Sequence, residues 1–362
     1  MVTLKNMGPV AFKNYIKDKE IVIFGAGRAL DSCLDIYFEN ENVLFVVDNN
    51  DGLWNTEHEF NGKIYMIYSL NNLIKAYKTN KNLICYIDSP FYANEVVEQL
   101  DAIPELDELE CYLSIIMRNT FEEIKPWEFT KGPQLIPKKI HYIWVGGKEL
   151  PGEFKKNIES WRKYNPDYEI IRWDESNYDF CKDEYTKLAF TSRAWGFVPN
   201  LARLDIINKY GGIYLDTDVE AIANFDILLK DKSFFNMGSG EMVSRGCGFG
   251  SISNADIIQE MIDYICVSIR DTGGEFKKTQ DHTFSHPVLK KYGFEIINQY
   301  QKKDEIVLYP REVMSPLTIE GMPNMITEKT VSLHKEVGSW KLVEEKKNTS
   351  FMRTLMNRVE KK

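Results

Sequence analysis

The sequence predicts an α/β protein of two domains. Two series of short apolar runs alternating with helical patterns predict it, one on each side of a proline-rich stretch. A length of 362 residues also exceeds what one domain ordinarily holds.

In the first series the apolar run 21–24 ends at Gly25-Ala26-Gly27, and a helical pattern follows over 28–38. Residues 43–48 (VLFVVD), 64–68 and 83–88 (LICYID) read as further strands, with helices over 70–77 and 93–100 between and after them. Such alternation builds a parallel sheet covered by helices, so residues 1–118 are expected to form a small Rossmann-like domain. The glycine turn follows a strand and opens a helix, and Asp48 ends the next strand, 23 residues after Gly25. That is the setting of a dinucleotide fingerprint. Leu30 stands where its third glycine belongs, and one mononucleotide-type half is evident. The turn reads as a degenerate nucleotide-binding or interaction module. The alternative is a working NAD site, and with it a nicotinamide-dependent oxidoreductase.

Pro126, Gly132, Pro133 and Pro137 then fall within a dozen residues, so 119–136 reads as a linker. The second series spans 137–340. Residues 140–145 (IHYIWV) form a strand ending at Gly146-Gly147, 154–164 a helix, 168–173 a strand and 201–210 a helix stopped by Gly211-Gly212. A short buried strand over 213–215 then delivers Asp216-Thr217-Asp218.

Composition removes several function classes. Hydrophobic residues make up 43% and charged residues 27%, as in ordinary globular proteins. The net charge of −9 argues against broad nucleic-acid binding, which needs a basic face. No apolar run approaches the ~20 residues that cross a bilayer, and the first twenty residues hold no apolar core of signal-peptide length. Six cysteines lie far apart with no CxxC, which argues against a zinc cluster and suits reduced thiols in a cytosol. From Lys341 to Lys362 seven basic residues face three acidic ones, and Phe351, Met352, Leu355, Met356 and Val359 share a helical face. Residues 345–362 therefore suit a peripheral contact with the inner face of the cell membrane. A helix packed on the catalytic domain, or a frayed end, is equally compatible.

An Asp-x-Asp pair alone is most often a solvated loop. Here it follows a buried strand and a Gly-Gly stop, with Arg203 thirteen residues before Asp216. Carboxylates at i and i+2 of a regular strand share a face and repel unless a cation lies beside them. Ligands of open α/β sheets bind at such carboxyl ends.

The run from Arg203 through Tyr210-Gly211-Gly212-Ile213-Tyr214-Leu215 to Asp216-Thr217-Asp218 resembles the DXD-containing glycosyltransferases of family 32. It is also similar to the glucosylating domain of the large clostridial toxins. Two further blocks carry the resemblance in the same order, 136–147 (IPKKIHYIWVGG) and 334–340 (HKEVGSW). The resemblance spans about 136–340. It implies a GT-A fold, a nucleotide-sugar donor, Mn²⁺ or Mg²⁺, and transfer with retention.

Carried over by position, the resemblance has Asp218 bind the metal and Asp216 contact both the metal and the donor sugar or ribose. Arg203 holds the sugar or its phosphate. Trp144 stacks on the base, with Val145 and Gly146 beside it, and Ser339 and Trp340 reach the diphosphate. His334 is a third metal or phosphate contact or, alternatively, a structural histidine. Many relatives carry Asp three residues before the arginine, where this chain has Asn200, and that position bears on the donor sugar. The implied activity moves a hexose from UDP-galactose or UDP-glucose to a capsule-type surface glycan or a glycolipid, with GDP-mannose the alternative donor.

Three residue readings stay open beside this. Trp144 can equally be a core tryptophan, although Gly146 and Gly147 would let a nucleotide approach. Glu220 is a side candidate for a nucleophile or a solvated glutamate. Residues 278–287, with Asp281, His282 and His286, read as a polar loop or as the acceptor side.

Overall fold

The computed structural model describes residues 1–27, 29–89, 92–120, 122–271, 282–319, 322–337 and 352–359. The chain divides into two compact units, Met1–Glu122 with Thr318–Pro323 and Val343–Lys362, and Glu123–Leu317 with Asn324–Leu342.

The first unit is a sheet of strands β1 (Thr3–Lys5), β2 (Glu20–Phe24), β3 (Val43–Val47), β4 (Thr56–Phe60), β5 (Lys63–Tyr68), β6 (Leu83–Ile87) and β7 (Glu110–Leu113). Its helices are α1 (Pro9–Tyr15), α2 (Leu30–Tyr37), α3 (Leu70–Thr79), α4 (Ala93–Asp101) and α5 (Ser114–Met117). The spatial order is β1-β7-β6-β2-β3-β5-β4, parallel throughout except at β4. The sequence reading missed both edge strands and β7. β1 is three residues long, and β4 (TEHEF) is polar and largely exposed, as an edge strand that resists further pairing is.

The chain runs outward from β2 through β3 and β5, then returns to place β6 on the other side of β2. Gly25 sits at that switch point with φ +120°, and a Cβ there would lie 2.8 Å from the Asp88 carbonyl oxygen, so only glycine fits. Asp48 accepts the Ala26 N–H at 2.7 Å with one carboxylate oxygen and the Asn50 N–H at 2.8 Å with the other. The acid that a dinucleotide fingerprint offers to a ribose here ties the glycine turn to the loop after β3.

The C-terminal helix Met352–Arg358 packs within the first unit. Leu355 and Val359 are buried in the core of the first unit with Leu4, Leu100 and Cys111, and Arg358 Nη1 lies 2.7 Å from Asp101 Oδ2. An apolar helical stripe suits either surroundings, and here the core takes it. No helix among the described residues is long and apolar enough to cross a membrane.

The stretch 119–136, expected as a linker, is largely docked on the second unit. Trp127 stacks on Tyr300 at 4.8 Å and donates to Glu312 Oε1 at 2.8 Å, and Ile136 is fully buried.

The second unit contains β8 (Lys139–Ile143), α6 (Gly152–Tyr164), β9 (Glu169–Trp173), α7 (Glu184–Thr191), α8 (Pro199–Tyr210), β10 (Gly212–Tyr214) and β11 (Val219–Ala221). After them come β12 (Ser233–Gly238), β13 (Met242–Val243), β14 (Phe249–Ser251), α9 (Asp256–Asp271), α10 (His282–Lys291), β15 (Gln301–Lys303), β16 (Ile306–Tyr309) and β17 (Ser332–His334). A mixed sheet runs β15-β16-β12-β14-β10-β8-β9, with β13 on β12. A separate pair joins β11 to β17. The segment expected as a polar loop before Val288 is helical from His282, and His286 is buried, accepting the Val243 N–H at 3.1 Å. Gln280 and Asp281 lie outside the described residues.

Candidate active site around Asp216

The site begins with a glycine pair. Helix α8 stops at Gly211 (φ +63°) and β10 starts at Gly212 (φ +111°), whose Cβ would lie 2.8 Å from the Lys139 carbonyl oxygen. Nothing larger lets β10 settle beside β8. His141 on β8 fixes this corner. Trp173 Nε1–H donates to its Nδ1 at 3.1 Å, so its Nε2–H donates to the Gly211 carbonyl at 2.9 Å. Burial pushes this imidazole down to about 4, so it stays neutral near pH 7.

β10 then delivers Asp216 and Asp218 into a turn rather than along a strand. The shared-face argument of a regular strand therefore does not apply, and the turn sets the geometry instead. Helix α6 pins it. Asn157 Nδ2 donates to the Thr217 carbonyl at 2.8 Å, and Trp161 Nε1 donates to the Val219 carbonyl at 2.8 Å. The Asp216 N–H donates to the Gly246 carbonyl at 3.0 Å. Gly246 lies so close that a Cβ there would meet Asp216 Oδ2 at 2.3 Å.

The third member arrives from far along the chain. β17 pairs antiparallel with β11, opposing His334 to Val219. His334 Nε2 comes 3.3 Å from Asp218 Oδ1, and the Val337 N–H donates to Asp218 Oδ2 at 2.9 Å. Asp216, Asp218 and His334 each offer one ligand atom within 4.8 Å of the others.

Arg203 enters from α8, only 4% exposed. Its Nε donates to the Pro199 carbonyl at 2.9 Å and its Nη2 to Asn200 Oδ1 at 3.2 Å. Its guanidinium carbon lies 5.0 Å from the centre of the Tyr214 ring, and Nη1 stands 3.9 Å from Asp216 Oδ1.

These charges shape one another. Burial pushes the Asp216 carboxyl up, aided by repulsion from Asp218 and opposed by Arg203. Burial would also raise Asp218, but the His334 charge and hydrogen bonds from His334 and Val337 outweigh it and hold that carboxyl below its usual range. Burial alone would lower His334, yet Asp218 above all, with Glu336 and Asp216, lifts it to about 9. A protonated imidazole thus partly balances the two acids.

A divalent cation fits these side chains. Two carboxylates and an imidazole converge, His334 Nδ1 is buried with no hydrogen-bond partner among the described residues, and this oxygen-rich set with one nitrogen offers a divalent ion its ligands.

The remaining expected residues fall as follows. Trp144, Val145 and Gly146 leave β8, the parallel neighbour of β10, at the same sheet edge as Asp216. Trp144 is half-buried, donates to the Lys148 carbonyl at 2.7 Å and packs edge-on against Phe154 at 5.7 Å. Gly146 donates its N–H to Glu175 Oε1 at 2.7 Å, and a Cβ on it would press the Trp195 ring at 3.0 Å. Ser339 and Trp340 lie outside the described residues. Glu220 points to Lys335 Nζ at 3.0 Å, the pose of an ion-paired surface acid rather than a nucleophile. His141, Asn157, Trp161 and Gly246 were not anticipated. Asn157 had a signal, since it interrupts the apolar stripe Phe154, Ile158, Trp161.

Comparison with known proteins supplies an independent line. Residues 151–235 match the family described as "Glycosyltransferase sugar-binding region containing DXD motif". The chain is 35% identical over 117 residues to mannosyl phosphorylinositol ceramide synthase CSH1 of Saccharomyces cerevisiae, covering 31% of each chain. It is 36% identical over 100 residues to inositol phosphoceramide mannosyltransferase 3 of Schizosaccharomyces pombe, covering 26% of this chain and 27% of that one. The chain thus spans under a third of the length of these curated relatives. A solved structure named PaToxG Glycosyltransferase aligns with 44% of this chain and 71% of its own at a TM-score of 0.37 and 19% identity. The stretch 151–235, similar to the glycosyltransferase family whose sugar-binding region contains the DXD motif, includes Arg203, Asp216 and Asp218.

Proposed function

We propose that the second unit is a divalent-metal-dependent, retaining hexosyltransferase of the GT-A type. In this reading it moves mannose from GDP-mannose to a hydroxyl of a glycolipid or surface glycan. The single observation that carries it is the convergence of Asp216, Asp218 and His334 within 4.8 Å, with Arg203 beside Asp216. UDP-galactose or UDP-glucose was the first expectation. GDP-mannose takes precedence because the relatives above are named for mannosylation of inositol phosphoceramide.

Asp216, Asp218 and His334 would hold Mn²⁺ or Mg²⁺, which when bound supplies a positive counter-charge for the diphosphate that leaves with the nucleotide. Arg203 adds a permanent charge whose fork matches phosphate oxygens. Its burial keeps that charge from being screened by water. Trp144 is assigned to the base, and Ser339 and Trp340 to the diphosphate. Glu220 is engaged with Lys335, so no protein nucleophile is assigned, and a front-face route in which the departing phosphate takes the acceptor proton is favoured.

The test is a donor screen. GDP-mannose, UDP-glucose and UDP-galactose are each incubated with the full chain and Mn²⁺, and the configuration of the released sugar is read by NMR before it mutarotates. Mn²⁺-dependent release of α-mannose from GDP-mannose supports the reading. Release from a UDP-sugar alone restores the first expectation, and inertness toward all three sinks the function.

A further inference from the structure

A guanidinium has donors only, so whatever touches it must accept. Arg203 Nη2 donates to Asn200 Oδ1 at 3.2 Å. This fixes the orientation of the Asn200 amide, and its Nδ2 must find an acceptor of its own, because the residue is 3% exposed. It finds the Tyr185 hydroxyl at 2.9 Å. Tyr185 belongs to α7, whose first turn is capped by Asp183 Oδ1 accepting the Thr186 N–H at 2.7 Å. The tyrosine is 2% exposed, and its ring meets Phe284 edge-on at 5.7 Å. A directed relay thus runs from Tyr185 through Asn200 to Arg203, whose Nη1 faces Asp216.

We propose that Tyr185 is a positioning residue for the nucleotide-sugar donor. It accepts from Asn200, holds that amide with its oxygen toward Arg203, and so aims the guanidinium at the donor diphosphate. The inference rests on the function proposed above. The chemistry of position 200 sharpens it. An aspartate there would accept from Arg203 with either oxygen and need no acceptor behind it. An asparagine oriented by Arg203 turns its buried Nδ2 away from the guanidinium, and Tyr185 is the acceptor that meets it. Asn200 and Tyr185 therefore form a matched pair.

The test uses the full chain, with GDP titrated calorimetrically in the presence of MnCl₂ and GDP-mannose kinetics measured in parallel. Tyr185→Phe keeps the ring and removes the acceptor. It is expected to weaken GDP binding and raise KM about tenfold, to lower kcat less, and to leave the affinity for Mn²⁺ alone unchanged. Adding Asn200→Asp to Tyr185→Phe should bring GDP affinity back to within about threefold of wild type, because the carboxylate needs no tyrosine. A merely structural tyrosine would not be rescued in this way. Unchanged GDP affinity in Tyr185→Phe, or loss without rescue in the double variant, overturns the inference while the functional reading stands. A wild-type chain that binds neither GDP nor UDP with Mn²⁺ overturns the functional reading and takes this inference with it.

Discussion

His334 and Asp218 stand 116 residues apart in sequence, yet Nε2 of one lies 3.3 Å from Oδ1 of the other. The pairing of β17 with β11 makes this contact, and it turns a bare Asp-x-Asp turn into a three-sided site.

A pH dependence follows from that contact. In the metal-free chain Asp218 lifts His334 to about 9, above its ordinary value of 6.5. The ring is therefore protonated at neutral pH, and the pair's stabilisation is full below about 6.5 and lost as pH rises through 9. A divalent ion coordinated by the ring must displace that proton. Mn²⁺ affinity should rise with pH up to about 9, by roughly tenfold per unit, with close to one proton released. Calorimetry in buffers of different ionisation enthalpy measures both. Affinity that is flat from pH 6.5 to 9 would show that His334 is not a ligand.

Gly246→Ala separates stability from the site. The added Cβ would lie 2.3 Å from Asp216 Oδ2 and 3.6 Å from Arg203 Nη1. A carboxylate end can swing away cheaply, so denaturant unfolding should change by no more than about 1 kcal/mol. Mn²⁺ affinity should fall by tenfold or more, roughly the effect of disturbing a ligand's support. Unchanged Mn²⁺ affinity would mean that Asp216 does not depend on this close approach.

The C-terminal helix offers a test of packing against membrane contact. Leu355 is fully buried in the first unit. Leu355→Ala should destabilise that unit by about 2–4 kcal/mol in urea unfolding without lipid. A change below about 0.5 kcal/mol would indicate that the helix is not docked in solution.

The N-terminal glycine turn is expected to leave NADH fluorescence unaltered, because Leu30 stands where the fingerprint's third glycine allows close helix–strand packing. Saturable enhancement of NADH emission would restore the cofactor-site alternative.

What was legible in the sequence was local. Gly211-Gly212 before a buried strand announced the turn that carries Asp216 and Asp218, and strand–helix alternation announced the parallel strands of both units. The segment 219–334 was opaque. Its strands run from two to six residues, and β11 and β12 pair with β17 and β16 far along the chain, so no short window holds their pattern. Prolines near 126–137 signal a stiff linker, while Trp127 and Phe129 in the same stretch carry the contrary signal of packing. The apolar face over 351–359 could serve a membrane or a core, and sequence alone does not separate the two. Tyr185 lies outside any motif, and its contact with Asn200 exists only once α7 and α8 are packed.

The most direct measurement is Mn²⁺-dependent turnover of GDP-mannose by wild type and by Asp218→Asn, an isosteric change that removes one charge facing His334. Wild type should turn the donor over in a way that EDTA abolishes, and the variant should lose at least ~100-fold with folding retained. Full activity in Asp218→Asn, or wild-type turnover indifferent to EDTA, would contradict it.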